Sequence, residues 1–152
     1  MTEVLTLAGT DITVLRELLA GYALELQLVE ADGTIPGSYW GEPEAGLIGY
    51  TLYARPDTPV HSLLHEACHS IVAAPGRRSR IHTDASDSIA EEDAACFLQI
   101  RLADRLPGVG ATRLMQDMDS WGYSFRLGSA RAWFEGDAED ARAWLTQRGL
   151  LA

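Results

Sequence analysis

The pattern His65-Glu66-Ala67-Cys68-His69 contains residue types that can bind a metal ion and move a proton. On an α-helix, residues four apart lie one turn apart on the same face, so His65 and His69 can bind one tetrahedral zinc ion. Zinc lowers the pKa of a bound water, and the carboxylate of Glu66 can then accept its proton. The motif therefore predicts His65 and His69 as zinc ligands and Glu66 as the catalytic base.

A third zinc ligand is predicted from the next helix, because a catalytic zinc usually keeps three protein ligands and one open position. That helix offers Glu91 and Glu92. A helical projection places Glu91 on the most apolar face, where a buried carboxylate is costly unless it meets a cation, and this favours Glu91. Residues 88–91 also fit a capping box, and in that case Glu92, or neither glutamate, would be the ligand. Other residues of suitable type in the preceding segment are His82, Asp84 and Asp87.

Turn residues and apolar periodicity predict the elements that position the motif. Thr58 is the predicted N-cap and Pro59 suits the first helical position, so the motif helix should span residues 59–73. A loop from Gly76 should lead to a second helix, capped at residues 86–88 and ending near residue 106. The other predicted elements are a helix from residue 12, strands at 24–29 and 47–54 with a loop at 31–46 between them, helices near 112–121 and 138–147, and an extended piece at 123–127.

Other polar side chains near the motif have an ordinary interpretation beside a functional one. His61 lies one turn before His65 and is expected to be an exposed helix histidine, with a supporting role at the metal site as the alternative. A tyrosine hydroxyl near zinc could polarise a substrate carbonyl, although core packing explains strand tyrosines equally well. The candidates for that role are Tyr50, Tyr53 and Tyr123.

The composition bounds the class of protein. The 152 residues suit one compact domain, 1–152, and 47% hydrophobic with 22% charged residues favours a packed core. A net charge of −10 and a pI near 4.7 argue against nucleic acid or an anionic membrane as a partner. The basic group Arg77, Arg78 and Arg80 is expected to be a solvated loop. No signal peptide or membrane span is predicted, and Cys68 and Cys96 are too few for a disulfide scaffold, so a cytoplasmic location is expected.

The chain resembles the zincin metallopeptidases, and among them a minimal bacterial gluzincin. The resemblance covers about residues 47–103, where a strand and a capped helix lead into the HExxH pattern and a later helix carries Glu91-Glu92-Asp93-Ala94-Ala95. Two positions depart from family patterns: no third histidine of the metzincin type follows His69, and Ala95 stands four residues after Glu91, where some gluzincins have aspartate. The resemblance implies an α+β fold with a small, mostly antiparallel sheet packed on the HExxH helix, a second ligand helix and C-terminal helices.

The resemblance also implies a zinc-dependent metallopeptidase. Glu66 would activate a zinc-bound water, which would attack a peptide bond of a peptide or protein substrate. The edge of the strand at 47–54 is expected to pair with an extended substrate. The sequence leaves open a zincin-fold regulatory or interaction protein with little proteolytic activity, a zinc hydrolase of a non-peptide amide, and a structural zinc site.

Overall fold

The fold joins a small sheet to a larger set of helices. The computed structural model describes residues 4–38, 43–73, 75–78, 89–123 and 125–151. The predicted α+β fold class is confirmed. In chain order the elements are α1 (Ile12–Ala20), β1 (Glu25–Leu28), β2 (Gly46–Ile48), β3 (Thr51–Ala54), α2 (Val60–Val72), α3 (Pro75–Arg78), α4 (Ile89–Ala103), α5 (Gly110–Trp121), α6 (Ala130–Gly136) and α7 (Glu139–Gln147).

Within the described ranges, the sheet has three strands in the order β1, β3, β2. β1 runs parallel to β3 and β2 runs antiparallel to it, so the sheet is evenly mixed rather than mostly antiparallel. The single strand predicted at 47–54 is wrong, because the chain reverses at Gly49 and Tyr50 between β2 and β3. Gly49 adopts a φ of 59°, which suits a two-residue hairpin turn and is costly for other residues.

The outer side of β2 is partly covered by the preceding chain. β3 pairs on both sides, which leaves only β2 at this edge of the sheet. There the Leu47 N–H donates to the Gly37 carbonyl at 3.4 Å, and Ser38 forms a bridge with Gly46. A Cβ atom at Gly46 would lie 1.8 Å from the Pro36 carbonyl oxygen, so only glycine permits this approach. The segment 47–54 therefore does not present the free strand edge expected for substrate pairing.

α2 is the helix that links the sheet to the other helices. It contacts β2 and β3 and packs against α4 and α5, and its contact with α4 is the most extensive among the described elements. Fully buried alanines lie on both helices, Ala67 in α2 and Ala94 and Ala95 in α4. The distance between packed helices depends on the side chains at the contact, so short side chains favour the close approach of α2 and α4.

The N-terminus of α2 is tied to the start of the chain. The Val60 N–H, which has no partner within its own helix, donates to the Leu5 carbonyl at 2.9 Å. The predicted Thr58 cap is wrong, because the Thr58 hydroxyl accepts from the Arg55 N–H at 2.8 Å and Pro59 is the N-cap residue. The helix therefore begins one residue later than predicted.

The remaining predictions are met in part. α1, β1, α5 and α7 match their predicted positions within about two residues. The predicted extended piece at 123–127 is wrong at its end, because Phe125 is extended but residues 126–128 form a 3-10 turn in which Leu127 has a φ of 70°. α3 replaces the start of the predicted loop. α6 was not predicted, although Ser129 is a suitable N-cap residue: its hydroxyl accepts from the Ala132 N–H at 3.1 Å. The predicted caps at 86–88 lie outside the described residues.

In the part of the chain that the structure describes, no helix combines the length and the apolar character needed to cross a membrane.

Truncating a leucine in the central strand should destabilise the fold far more than truncating one at the sheet surface. Leu52 in β3 is fully buried, whereas Leu28 in β1 is 43% exposed. We expect Leu52→Ala to lower the free energy of unfolding by about 2–5 kcal/mol and Leu28→Ala by less than about 1 kcal/mol, since only the first leaves a cavity. Urea unfolding followed by circular dichroism measures both. Equal losses in the two variants would contradict this account of the core.

Candidate metal centre

The two motif histidines meet on one face of α2, as their spacing predicts. The Nε2 atoms of His65 and His69 lie 3.0 Å apart. The ring centroids are 4.5 Å apart and the ring planes are nearly perpendicular. His69 is buried and His65 is half-buried. Both Nε2 atoms therefore approach a single point on the helix surface.

α4 supplies a carboxylate to these histidines, and it belongs to Glu92. Its Oε1 atom lies 2.9 Å from Nε2 of His65, and its Oε2 atom lies 3.1 Å from Nε2 of His69. Burial alone would raise the pKa of Glu92, but hydrogen bonds with both rings outweigh burial and hold its pKa well below the usual value. The structure thus brings Glu92, the alternative candidate, to the histidines, and it does not bring Glu91 there.

Glu91 is buried beside a different cation. Both of its carboxylate oxygens accept from the Arg77 guanidinium, Oε2 from Nη1 at 2.9 Å and Oε1 from Nη2. As the sequence predicts, a carboxylate on this apolar face has a cation as its partner. That cation is Arg77 of α3 rather than a metal ion. The predicted third ligand Glu91 is therefore paired with Arg77 in the structure, and Glu92, the alternative, is the glutamate within reach of both histidines. Arg77 is likewise not the solvated loop residue that was expected.

Gln99 fixes the orientation of His65 from α4. Its amide nitrogen donates to the backbone carbonyl of His61 at 2.9 Å, which leaves Oε1 facing Nδ1 of His65 at 2.8 Å. Because this oxygen can only accept, Nδ1 of His65 carries the proton, and Nε2 of the neutral ring presents a lone pair. His69 lacks this support, since its buried Nδ1 has no hydrogen-bond partner within the described ranges.

The distances at this centre fit a zinc ion. The Nε2 atoms of His65 and His69 and the carboxylate of Glu92 lie 2.9 to 3.1 Å from one another. Tetrahedral zinc, with bonds of about 2.0 Å, separates its ligand atoms by about 3.3 Å, so a small outward movement admits the ion. Burial alone would lower the pKa of His65, but Tyr123, Cys96 and Glu92 together hold that pKa well above its usual value. The centre therefore attracts positive charge.

Glu66 approaches the same centre from beside the first histidine. One of its carboxylate oxygens and one ring nitrogen from each of His65 and His69 all lie within 4.8 Å of one another. Burial raises the pKa of Glu66 above its usual value, which makes its carboxylate a stronger base than an exposed glutamate. The arrangement places a base next to the potential ligands, as the motif predicts.

A cavity of about 450 Å³ opens beside His65, Glu66 and Glu92. Its volume lies in the range of ligand-binding pockets, about 300–1,000 Å³. The rest of its wall is formed by Glu44, Ser62, Trp121, Gly122 and Tyr123. A molecule in this cavity would therefore contact Glu66 and two of the potential metal ligands, His65 and Glu92, directly.

His61 and Tyr123 form a buried pair beside His65. His61 is only 1% exposed, and its Nδ1 lies 3.1 Å from the Tyr123 hydroxyl. Burial, with a smaller effect of His65, lowers the pKa of His61 to about 3, so the ring is neutral. The Tyr123 ring meets the His65 ring edge-on, with centroids 5.7 Å apart. The expectation of an exposed His61 is therefore wrong, and of the candidate tyrosines Tyr123 is the one at the centre.

The other candidate tyrosines do not line the cavity. Tyr50 lies beneath the Arg78 guanidinium, 4.8 Å from its ring centroid, and Tyr53 lies in β3. Arg78 also donates to the Ser70 hydroxyl at 3.0 Å and to the Tyr22 carbonyl at 2.6 Å, so it is not a solvated loop residue either. Arg80, His82, Asp84 and Asp87 lie outside the described residues.

Cys96 also approaches the centre, and the sequence analysis missed both it and Gln99. Its sulfur, a His65 ring nitrogen and a Glu92 carboxylate oxygen lie within 4.8 Å of one another. Cys68 and Cys96 are free thiols, and burial raises the pKa of Cys68, which lies in the core as expected. Glu92, Cys96 and Gln99 follow a spacing of four and then three residues, which places them on one helix face. That polar row was the signal available in the sequence.

Comparison of the chain with protein-family models, with curated proteins and with solved structures found no match.

Removing the Gln99 amide should weaken zinc binding. Gln99→Leu frees the Nδ1 proton of His65 from its partner, and the loss of such an outer hydrogen bond typically reduces metal affinity by about 10- to 100-fold. Gln147→Leu, at the exposed end of α7, is the matched control and should leave the affinity unchanged. Competition with a chromogenic chelator measures the dissociation constant. Equal affinities of Gln99→Leu and the unaltered chain would contradict this role.

Proposed function

We propose that this protein is a zinc-dependent hydrolase of the zincin type that cleaves an amide bond in a peptide or protein substrate. His65, His69 and Glu92 would hold the zinc ion, and Glu66 would be the catalytic base. The observation that carries the proposal is the convergence of two Nε2 atoms and a carboxylate at 2.9 to 3.1 Å, with a second carboxylate beside them and a cavity in front.

The chain's own residues divide the work of hydrolysis. Zinc bound here would supply a Lewis acid that lowers the pKa of water to near 7 and polarises a carbonyl. Glu66 accepts a proton from the attacking water, whose oxygen forms a bond to the carbonyl carbon, and then donates that proton to the amine as the carbon–nitrogen bond breaks. Gln99 accepts from Nδ1 of His65 and so directs Nε2 of that ring toward the metal position, and the edge-on contact of Tyr123 restrains the His65 ring.

A closed zinc site is the second candidate. Its support is the proximity of the Cys96 sulfur to His65 and Glu92, because a thiolate there would add a fourth protein ligand to the two histidines and the glutamate. A site with four protein ligands has a structural role and would favour a regulatory or interaction protein of the zincin type. X-ray absorption at the zinc edge separates the two proposals, since a sulfur ligand at about 2.3 Å appears only in the closed site.

The two free thiols also support a reducing compartment, and a cytoplasmic location is part of this proposal.

The two neighbouring glutamates should differ sharply in their effect on zinc binding. We expect Glu92→Gln to reduce zinc affinity by more than the about 10- to 100-fold that loss of an outer hydrogen bond costs, because it removes a charged ligand. Glu91→Gln removes the charge that faces Arg77, so it should lower the free energy of unfolding but leave zinc stoichiometry unchanged. Isothermal titration with zinc and urea unfolding of both variants check this. Loss of zinc only in Glu91→Gln would reverse the assignment.

Replacing the base should separate catalysis from metal binding. We expect Glu66→Gln to retain stoichiometric zinc and to lower amide hydrolysis by about 10²- to 10⁴-fold, the usual contribution of general base catalysis. Mass spectrometry of a mixture of unstructured peptides detects the new termini. Glu17→Gln, on the exposed face of α1, is the charge-matched control. Hydrolysis that persists at full rate in Glu66→Gln would refute the role of this carboxylate, and no hydrolysis by the unaltered chain would favour a binding protein or a non-peptide substrate.

A further inference from the structure

Glu44 is held at the cavity wall by neutral donors. Its Oε2 accepts from the Ser62 hydroxyl, which itself accepts from the Ala45 N–H at 2.9 Å. Its Oε1 accepts from the indole N–H of Trp121. Each carboxylate oxygen has more than one lone pair, so both keep capacity for a further donor. These contacts orient the carboxylate without neutralising its charge.

The charge of Glu44 is the one that the proposed centre leaves unbalanced. The cavity wall carries the carboxylates of Glu44, Glu66 and Glu92 and contains no arginine among the described residues. A divalent ion offsets Glu66 and Glu92 and leaves Glu44 with one negative charge. No ion pair joins Glu44 to an arginine within the described ranges, although Arg77 and Arg113 pair with Glu91 and Asp117 elsewhere.

Trp121 adds an aromatic surface next to this charge. It is 40% exposed while lining the cavity, and its N–H is engaged by Glu44. An indole ring attracts a cation placed over its face, and tryptophan does so best among the aromatic side chains. A carboxylate next to a partly exposed indole therefore favours a positively charged group over a neutral one of the same size.

We propose that Glu44 and Trp121 form a subsite that binds a cationic group of the substrate, the ammonium or guanidinium of a basic side chain or a free amino terminus. This inference rests on the proposed hydrolase function, whose substrate class it names. The group lies in the cavity next to Glu66, so its binding positions the adjoining amide at the metal centre. Glu44 is then a specificity-determining residue, and its hydrogen bonds to Ser62 and Trp121 serve to aim the carboxylate.

Binding of small matched probes tests the subsite without requiring turnover. The probes are Nα-acetyl-lysine amide, its neutral counterpart Nα-acetyl-norleucine amide, and norleucine amide, which carries only a free α-amino group. NMR titration of the full chain, followed at the backbone amides of Ser62 and Gly122 in the cavity wall with and without zinc, gives the dissociation constants in every variant. We expect one of the cationic probes to bind about tenfold more tightly than the neutral probe. Tighter binding of the acetylated lysine would identify a basic side chain as the cationic group, and tighter binding of norleucine amide would identify an amino terminus.

Two variants and a control make the result decisive. Glu44→Gln keeps the shape and the acceptor for Trp121 but removes the charge, so it should abolish the preference for the cationic probe, while Trp121→Leu should reduce it severalfold. Glu17→Gln, which changes the net charge equally on exposed α1, should keep the full preference. Equal binding of the three probes by the unaltered chain, or an undiminished preference in Glu44→Gln, would overturn the subsite. Failure of the hydrolase proposal is detected by separate measurements, as an absence of zinc binding or as an unchanged rate of hydrolysis in Glu66→Gln. Probe binding is measured directly and does not depend on either result.

Discussion

The contact between α2 and α4 is the interaction on which the candidate centre depends. α2 carries His65 and His69, but α4 carries the carboxylate that faces them and the amide that orients the first ring. Neither helix holds a complete set of ligands. The same contact buries alanines on both helices, so the packing that stabilises the core also sets the spacing of the potential ligand atoms. Chemistry and stability are therefore coupled at one interface.

Two adjacent glutamates on α4 have different partners because successive helical residues are rotated by about 100°. Glu91 turns toward Arg77 and Glu92 turns toward the histidines. Each carboxylate thus finds its own source of positive charge, which a buried or half-buried anion requires. Arg77 bears on the candidate centre although it lies outside it, because it pairs with Glu91, whereas Glu92 faces the histidines.

The centre and the cavity form one electrostatic arrangement within an acidic chain of net charge −10. The histidines and Glu92 come from α2 and α4, so a divalent ion held by them would lie between these two helices. Glu44 and Trp121 lie on the wall in front, supported by Ser62 from α2. Fixed negative charge at two places in one cavity would suit a metal ion at the first and a cationic substrate group at the second, since preorganised charges lose little free energy to reorganisation.

The sequence by itself determined the parts of this protein that depend on local geometry. The helix spacing of His65 and His69, the neighbouring Glu66, and the positions of α1, α5 and α7 follow from residue type and period over a few turns. Tertiary structure decided the turn at Gly49 and the burial of His61. It also decided that Glu92 rather than Glu91 faces the histidines. That choice depends on the rotation of α4 about its axis and on an arginine in α3, and such long-range packing leaves no periodic signal in the chain. For Gln99, the sequence spacing was enough to place it on the same helix face as Glu92. Its partners, the His65 ring and the His61 carbonyl, were decided by the packing of α4 against α2.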